Sequence, residues 1–181
     1  MKKKRIVIAL VITGTGVLTV LLWQGLESSR HSTRQTLCVH NLKLLYSCLK
    51  AYAEEHEGHY PDRLANLLTR HGDNPEFLEI LICPEIQAIY KHNTGEKHPF
   101  PGHPDADTLE RLCSYAYVPG YTVDDPPDAI IFYEKKDNHF GKGRSLMDLD
   151  GHGAWEPPEN WRHGPPNKTL PPEFSGPQPR E

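Results

Sequence analysis

The sequence predicts an α+β fold in which a small antiparallel sheet of three to four strands covers one long N-terminal helix. Residues 6–56 contain no proline and pass from an apolar run to an amphipathic pattern of helical period. Residues 114–156 alternate as strands do and are interrupted by short turns. Because the helix has one apolar stripe and the sheet has one face to bury, we expect the two to pack together.

The first half of the predicted helix has the properties of a membrane anchor. Residues 6–26 carry no charge and would span about 31 Å as a helix, close to the thickness of the hydrocarbon core. The basic segment 1–5, with four basic side chains at positions 2–5, predicts a cytoplasmic N-terminus and a body outside the membrane. The competing interpretation is a cleaved signal peptide, but residues 24–27 offer no small-residue cleavage site.

The second half of the helix, residues 27–56, begins the predicted body, residues 27–156. Its apolar side chains recur at three- and four-residue steps, and Gly58 and Pro61 end it. A short helix follows at 62–70, with Asp62 as its cap. Residues 77–83 are an apolar run that is either a strand or a helical turn, ended by Pro84, and residues 85–107 are predicted to be a surface loop.

The predicted sheet is a meander. Its strands are residues 114–118, 129–133, 144–149 and 152–155, and Asp150-Gly151 between the last two is a strong hairpin signal. Residues 157–181 contain eight prolines and almost no apolar periodicity, which predicts a disordered tail.

Charge and motifs exclude several functions. The net charge is -4, but outside positions 2–5 the chain carries 16 basic against 24 acidic residues, which argues against a nucleic-acid partner. The sequence has no nucleophile elbow, no zinc-protease helix and no cysteine with a neighbouring base at a helix start. We therefore predict a protein that is not an enzyme and needs no cofactor.

Imidazole and carboxylate groups near the last hairpin are candidates for a metal site. His139, Asp150 and His152 are the candidate ligands, and Asp148 and Glu134 lie near them in sequence. Structural roles are the favoured interpretation, because Asp150 fits a turn and His139 could bond the backbone of its glycine-rich loop.

The four cysteines leave the pairing open. A disulfide between Cys83 and Cys113 would close a loop of about 30 residues and stabilise the fold by roughly 3–4 kcal/mol. A disulfide between Cys83 and a cysteine of the helix agrees with the sequence equally well. Cys38 and Cys48 cannot pair with each other, since they lie about 15 Å apart along one helix.

The order of several short motifs resembles the pseudopilin-like proteins abundant in planctomycetes and their relatives, and the resemblance covers residues 36–155. The residues that carry it are Cys38, Asn41, Leu42, Tyr52, Pro61, Cys83, Pro84, His139, Asp150 and Gly151. Two features depart from that pattern. No prepilin peptidase site precedes the apolar stretch, and ten residues rather than nine separate His139 from Asp150.

The resemblance implies a pilin-like shape and a place in the bacterial inner membrane, with a cytoplasmic N-terminus and a periplasmic domain. It also implies a structural role in type II secretion or type IV pilus assembly, with the lipid bilayer and pilin-like or secretion-system subunits as partners. The missing processing site favours a permanently anchored protein. The alternative is a single-pass periplasmic protein that binds a metal or another ligand and has no pilus role.

Overall fold

The computed structural model describes residues 2–72, 74–135 and 138–157, without the side chains of residues 2–13. Its contacts divide the chain into two units, Met1–Arg34 and Gln35–Glu181. The predicted body, residues 27–156, includes the last residues of the first unit and most of the second. Apart from Pro157, the predicted disordered tail lies outside the described residues.

Helix α1, Lys2–Glu55, confirms the long N-terminal helix. In the first unit its described apolar side chains are exposed to solvent, for example Leu18 and Leu21. Within the described residues, no helix is long and apolar enough to cross a membrane. The predicted anchor at residues 6–26 is described only in part, because the side chains of residues 6–13 lie outside this set.

The part of α1 in the second unit carries the predicted apolar stripe. Leu42, Leu45, Leu49 and Ala53 are completely buried. At the end of the helix, the N–H of Gly58 bonds to the carbonyl of Ala53 at 2.9 Å, and Gly58 has a φ of 83°. A left-handed glycine is a common helix terminator, so the sequence signal for the end of α1 is correct.

Short helices fill most of the chain between α1 and the sheet. The bounds are a 3₁₀ turn at Leu64–Leu67, α2 at Leu68–His71, α3 at Pro75–Ile80, α4 at Pro84–Thr94 and α5 at Ala106–Leu112. Arg63, without a side-chain cap, precedes the 3₁₀ turn, so the predicted cap by Asp62 is wrong. The structure resolves the open choice at residues 77–83 in favour of helix, since α3 covers most of that run.

The predicted loop at 85–107 is the main error in the secondary structure, because α4 occupies its first half. Pro84 does not end an element but stands in the first turn of α4. Proline suits that position, since the first helical N–H groups have no partner within the helix. Gly95, with a φ of 81°, ends the helix.

The sheet is the predicted antiparallel meander, in the order β1-β2-β3-β4. Its strands are β1 Tyr115–Tyr117, β2 Ile130–Glu134, β3 Arg144–Asp148 and β4 Gly153–Glu156. The α+β class and the four-stranded sheet are therefore confirmed.

Within the second unit, α1 packs on the sheet as expected. Leu45 and Leu49 belong to the same buried cluster as Ile131 and Met147 of the sheet. At β4 the helix comes so near that a Cβ added to Gly153 would lie 2.5 Å from a methyl carbon of Val39. The sheet thus lies directly on the helix, and this contact positions the site described next.

Candidate metal centre

Four buried polar side chains from four segments of the second unit meet at one point. Cys38 lies on α1, Cys83 precedes the first residue of α4, Glu134 ends β2, and His139 lies in the loop between β2 and β3. Their exposed fractions are 0%, 0%, 1% and 0%. Polar groups so completely removed from water are costly unless they are paired, so this cluster needs a physical explanation.

The reactive atoms of the cluster are in mutual contact. The Sγ of Cys38 lies 3.2 Å from the Sγ of Cys83, 3.3 Å from Oε1 of Glu134 and 3.3 Å from Nε2 of His139. Nε2 of His139 lies 3.4 Å from the Sγ of Cys83 and 3.0 Å from Oε1 of Glu134. All four ligand atoms lie within 4.8 Å of one another.

Backbone contacts next to the cluster hold these side chains in position. The side-chain amide of Asn41, one turn after Cys38, donates to the carbonyl of Ile82 at 3.2 Å and so fixes the residue before Cys83 against α1. The backbone N–H of Ser145 donates to Oε2 of Glu134 at 3.1 Å. Glu134 therefore turns its other oxygen, Oε1, toward the thiols and the imidazole.

Aromatic packing and a side-chain hydrogen bond hold the loop that carries His139. The ring of Trp155 on β4 meets the imidazole of His139 edge-on, with the centroids 4.8 Å apart. The side-chain amide of Asn138 donates to the carbonyl of Ser114 at 2.6 Å, which attaches the loop to the start of β1. The loop continues through Gly143, where an added Cβ would lie 2.3 Å from the Trp155 ring.

The cluster shifts the pKa of each of its members. The hydrogen bond to Cys83, burial and the charge of Glu134 together raise the pKa of Cys38. Burial alone would raise the pKa of Cys83, but the hydrogen bonds with Cys38 and His139 outweigh it and lower that pKa. The opposite directions of the two shifts agree with a hydrogen bond in which Cys38 donates to the sulfur of Cys83.

The other two members behave as an ion pair. Burial opposes the charged form of His139, but its contacts with Cys83 and Glu134 raise its pKa to about 10. Burial would likewise raise the pKa of Glu134, and the hydrogen bond and charge of His139 lower it instead. The two shifts have the directions expected for a buried imidazole and carboxylate whose Nε2 and Oε1 atoms lie 3.0 Å apart.

The remaining motif residues lie outside the cluster and have structural roles. Leu42 is in the core, and the half-buried ring of Tyr52 stacks on His56 with the centroids 3.7 Å apart. The carbonyl of Pro61 accepts a hydrogen bond of 2.6 Å from the hydroxyl of Tyr117.

The structure separates the candidate metal ligands suggested by the sequence. His139 belongs to the buried cluster, whereas the side chains of Asp150 and His152 are 61% and 76% exposed. Asp148 Oδ1 accepts the backbone N–H groups of Asp150 and His152 at 3.0 and 2.8 Å, so these residues form the hairpin turn. Gly151 completes that turn with a φ of 81°, against the ring of Tyr46. Within the described residues, Asp150 and His152 join no group of donors close enough to hold a metal.

The cysteines are all free thiols in this structure. Cys83 contacts Cys38 of the helix, so the contact follows the second of the two pairings that the sequence left open, although no bond is formed. Cys113 is buried, and its sulfur accepts the backbone N–H of Tyr115 at 3.4 Å. Cys48 is half-buried beside the core.

Sequence reasoning did not identify the cluster as a unit, and it mentioned Glu134 only as a neighbour. One signal was available. Glu134 directly follows a run of five apolar residues that forms a strand, and a charged residue at the end of a buried strand needs a buried partner. The convergence of Cys38 and Cys83 could not be read from the sequence, because it depends on where α4 begins.

The second unit is thus an α+β domain with a closed Cys-Cys-Glu-His cluster at the contact between helix and sheet. Two thiols, an imidazole and a carboxylate are donors that hold transition metals, and adjacent thiols are also the precursors of a disulfide. No protein family, curated protein or solved structure matches this chain.

Proposed function

We propose that this protein is a pseudopilin-like structural protein without enzymatic activity, anchored in the bacterial inner membrane by residues 6–26. It is a component or relative of a type II secretion or type IV pilus assembly, with the N-terminus cytoplasmic and the folded domain periplasmic. Its partners are the lipid bilayer and pilin-like or secretion-system subunits.

One observation carries the proposal: motifs that are far apart in the sequence belong to a single contact between helix and sheet. Cys38, Cys83 and His139 meet in the cluster, and Asn41 attaches the segment before Cys83 to α1. Gly151, the glycine of the last motif, lies on the helix residue Tyr46. Residues that meet in space support the interpretation that the motifs form one pattern rather than several chance matches.

The location of the motif residues also indicates what they do not do. The cluster is closed to solvent, so it offers no open position for a substrate. Assembly would therefore use the exposed side of α1. Leu37 and Leu44 are 44% and 39% exposed, and since they are seven residues apart they lie on the same side of the helix. This edge is the surface through which neighbouring subunits would pack.

Site-specific photo-crosslinking in intact cells tests the proposal. A photoreactive amino acid is placed at Leu44 of the full chain, and the membrane fraction is analysed for covalent adducts. The matched control is Lys43, an exposed neighbour about 100° around the helix. We expect adducts to a second copy or to a pilin-like or secretion-system subunit from Leu44, and far fewer from Lys43.

Two results would contradict the proposal. The first is recovery of the chain from the soluble fraction with a shortened N-terminus, which would indicate signal cleavage instead of an anchor. The second is a membrane-bound chain that stays monomeric with the photoreactive group at either position. That outcome would favour the alternative of a periplasmic ligand-binding protein without a pilus role.

A further inference from the structure

We propose that Cys38, Cys83, Glu134 and His139 bind one zinc ion, which ties α1 to the sheet. The inference rests on the geometry of the cluster and does not depend on the proposed role in assembly. The site differs from the one suggested by the sequence, since it excludes Asp150 and His152, adds two thiolates, and has Glu134 as its only carboxylate.

The four donor atoms are arranged like the ligands of a tetrahedral zinc site, but they lie slightly closer together than in a site that holds the ion. Zinc lies about 2.3 Å from sulfur and about 2.0–2.2 Å from nitrogen or oxygen, so neighbouring ligands of a tetrahedron are roughly 3.3–3.8 Å apart. Five of the six separations run from 3.0 to 3.4 Å, and the sixth, between Cys83 and Glu134, is at most 4.8 Å. An outward shift of a few tenths of an ångström for each side chain would admit the ion.

Hydrogen bonding alone explains this packing poorly. The sulfur of Cys38 lies within 3.3 Å of three heteroatoms, yet a thiol has a single proton to donate. Glu134 has no proton when it is charged, and Nε2 of His139 has at most one. A cation at the centre would satisfy all four groups at once, with the cysteines as thiolates and the imidazole neutral.

The donor types select the metal. Calcium and magnesium take oxygen ligands, whereas thiolates select zinc and other soft metals. Four protein ligands without an open position are typical of a structural zinc site, and the complete burial of all four side chains agrees with that assignment. The hydrogen bond from Ser145 to Glu134 supplies the outer support that metal ligands usually have.

Each ligand belongs to a different segment, so the ion would act as a crosslink. Cys38 is separated from Cys83 by 45 residues and from His139 by 101. Because the unfolded chain does not hold these groups together, the free energy of metal binding becomes free energy of folding. The rival state is a disulfide between Cys38 and Cys83, which would remove both thiolates and abolish the site.

Metal analysis of the purified full chain is the test. The protein is produced with zinc in the medium, purified without chelators, and measured by elemental mass spectrometry, with Cys83→Ser and His139→Ala as the site variants. The matched controls are Cys48→Ser and His152→Ala, which change the same residue types outside the cluster. We expect about one zinc per chain in the wild type and both controls, and loss to background in both site variants.

A second measurement covers the case in which the site variants do not fold. The wild-type chain is stripped with a chelator and loaded with Co²⁺, which gives thiolate-to-cobalt charge-transfer absorption and intense visible bands when it is tetrahedral. We expect these bands in the wild type and in Cys48→Ser, and their loss when Zn²⁺ is added. Glu134→Gln keeps the shape of its side chain but loses a charged ligand, and we expect at least about tenfold weaker binding.

Three outcomes would overturn the proposal. One is a wild-type chain without zinc that also gives no tetrahedral cobalt spectrum. Another is zinc that persists unchanged in both folded site variants. The third is a disulfide between Cys38 and Cys83 in the protein isolated from its native compartment, identified by mass spectrometry after alkylation of free thiols. None of these outcomes bears on the crosslinking result, so failure of the metal site and failure of the assembly role are distinguishable.

Discussion

Replacing Leu45 by alanine tests whether the apolar stripe of α1 is the main attachment of the sheet. Leu45 is completely buried among helix and sheet residues, so the truncation removes its contacts and leaves a cavity. Substitutions of this kind cost about 2.7–5.0 kcal/mol, and we expect about 3 kcal/mol for Leu45→Ala. For a unit of about 120 described residues, that loss lowers the unfolding temperature by roughly 12 °C.

The neighbouring residue is the matched control. Leu44 precedes Leu45 on the same helix but is 39% exposed, so Leu44→Ala removes the same atoms with little change in burial. We expect its effect to stay near 0.5 kcal/mol or below, as is usual for surface positions. Thermal unfolding of the full chain, followed by near-ultraviolet circular dichroism, measures both variants. Equal losses in the two variants would refute the assignment of the buried face.

Two further predictions concern a turn and a helix cap. Gly151→Ala should lower the free energy of unfolding more than Gly95→Ala does. Both glycines have a φ of 81°, but only at Gly151 would the new Cβ meet a side chain, 2.8 Å away in the ring of Tyr46. We expect about 1–2 kcal/mol for the strained backbone at Gly95 and a larger loss at Gly151, measured by chemical denaturation, and equal losses would contradict the close approach. The backbone N–H of Thr108 lowers the pKa of Asp105, so the contribution of this cap to stability is present above the ordinary pKa of a carboxyl group and is lost as the pH falls through the lowered value. Asp105→Asn should keep the cap and flatten this part of the stability-versus-pH curve, and an unchanged curve would argue against the cap.

Most of the fold could be predicted from the sequence, because its main elements have strong local signals. The helical stripe that includes Leu42 and Leu49 has a period of 3.6 residues, and Asp150-Gly151 specifies a hairpin whose strands then pair as a meander. The loop predicted at 85–107 failed for an equally local reason. Pro84 was interpreted as the end of the apolar run at 77–83, but it is the first residue of α4. Proline is common both after an element and in the first turn of a helix, so the residue type alone does not distinguish the two.

The candidate site could be predicted only in part. Cys38, Cys83 and His139 could be named individually, because their order in the sequence resembles a known pattern. That these three residues lie next to Glu134 depends on how α1 packs against the sheet and on where α4 begins. Neither of these features has a local signal in the sequence. In the sequence, Asp150 and His152 were as suitable as His139 to be metal ligands. The structure distinguishes them by burial, since the side chains of Asp150 and His152 are exposed. Burial depends on the whole fold and has no local signal in the sequence.

The metal centre and the assembly role would serve different parts of the molecule. The four buried side chains hold helix and sheet together within the second unit, and Leu37 and Leu44 form the exposed edge of the same helix. Metal binding would contribute to folding in addition to the buried apolar cluster that already joins helix and sheet. Loss of the ion should therefore lower the stability of the folded domain, and it should affect assembly only as a consequence of that lower stability.

The most direct measurement is X-ray absorption spectroscopy at the zinc edge on the full chain purified with its metal. Binding by Cys38, Cys83, Glu134 and His139 predicts a first shell of two sulfur atoms at about 2.3 Å and two nitrogen or oxygen atoms at about 2.0–2.2 Å. The Cys48→Ser control should give the same first shell, with two sulfur atoms, because Cys48 lies outside the cluster. A first shell of nitrogen and oxygen alone, or a purified chain that holds no zinc, would contradict a metal centre between helix and sheet.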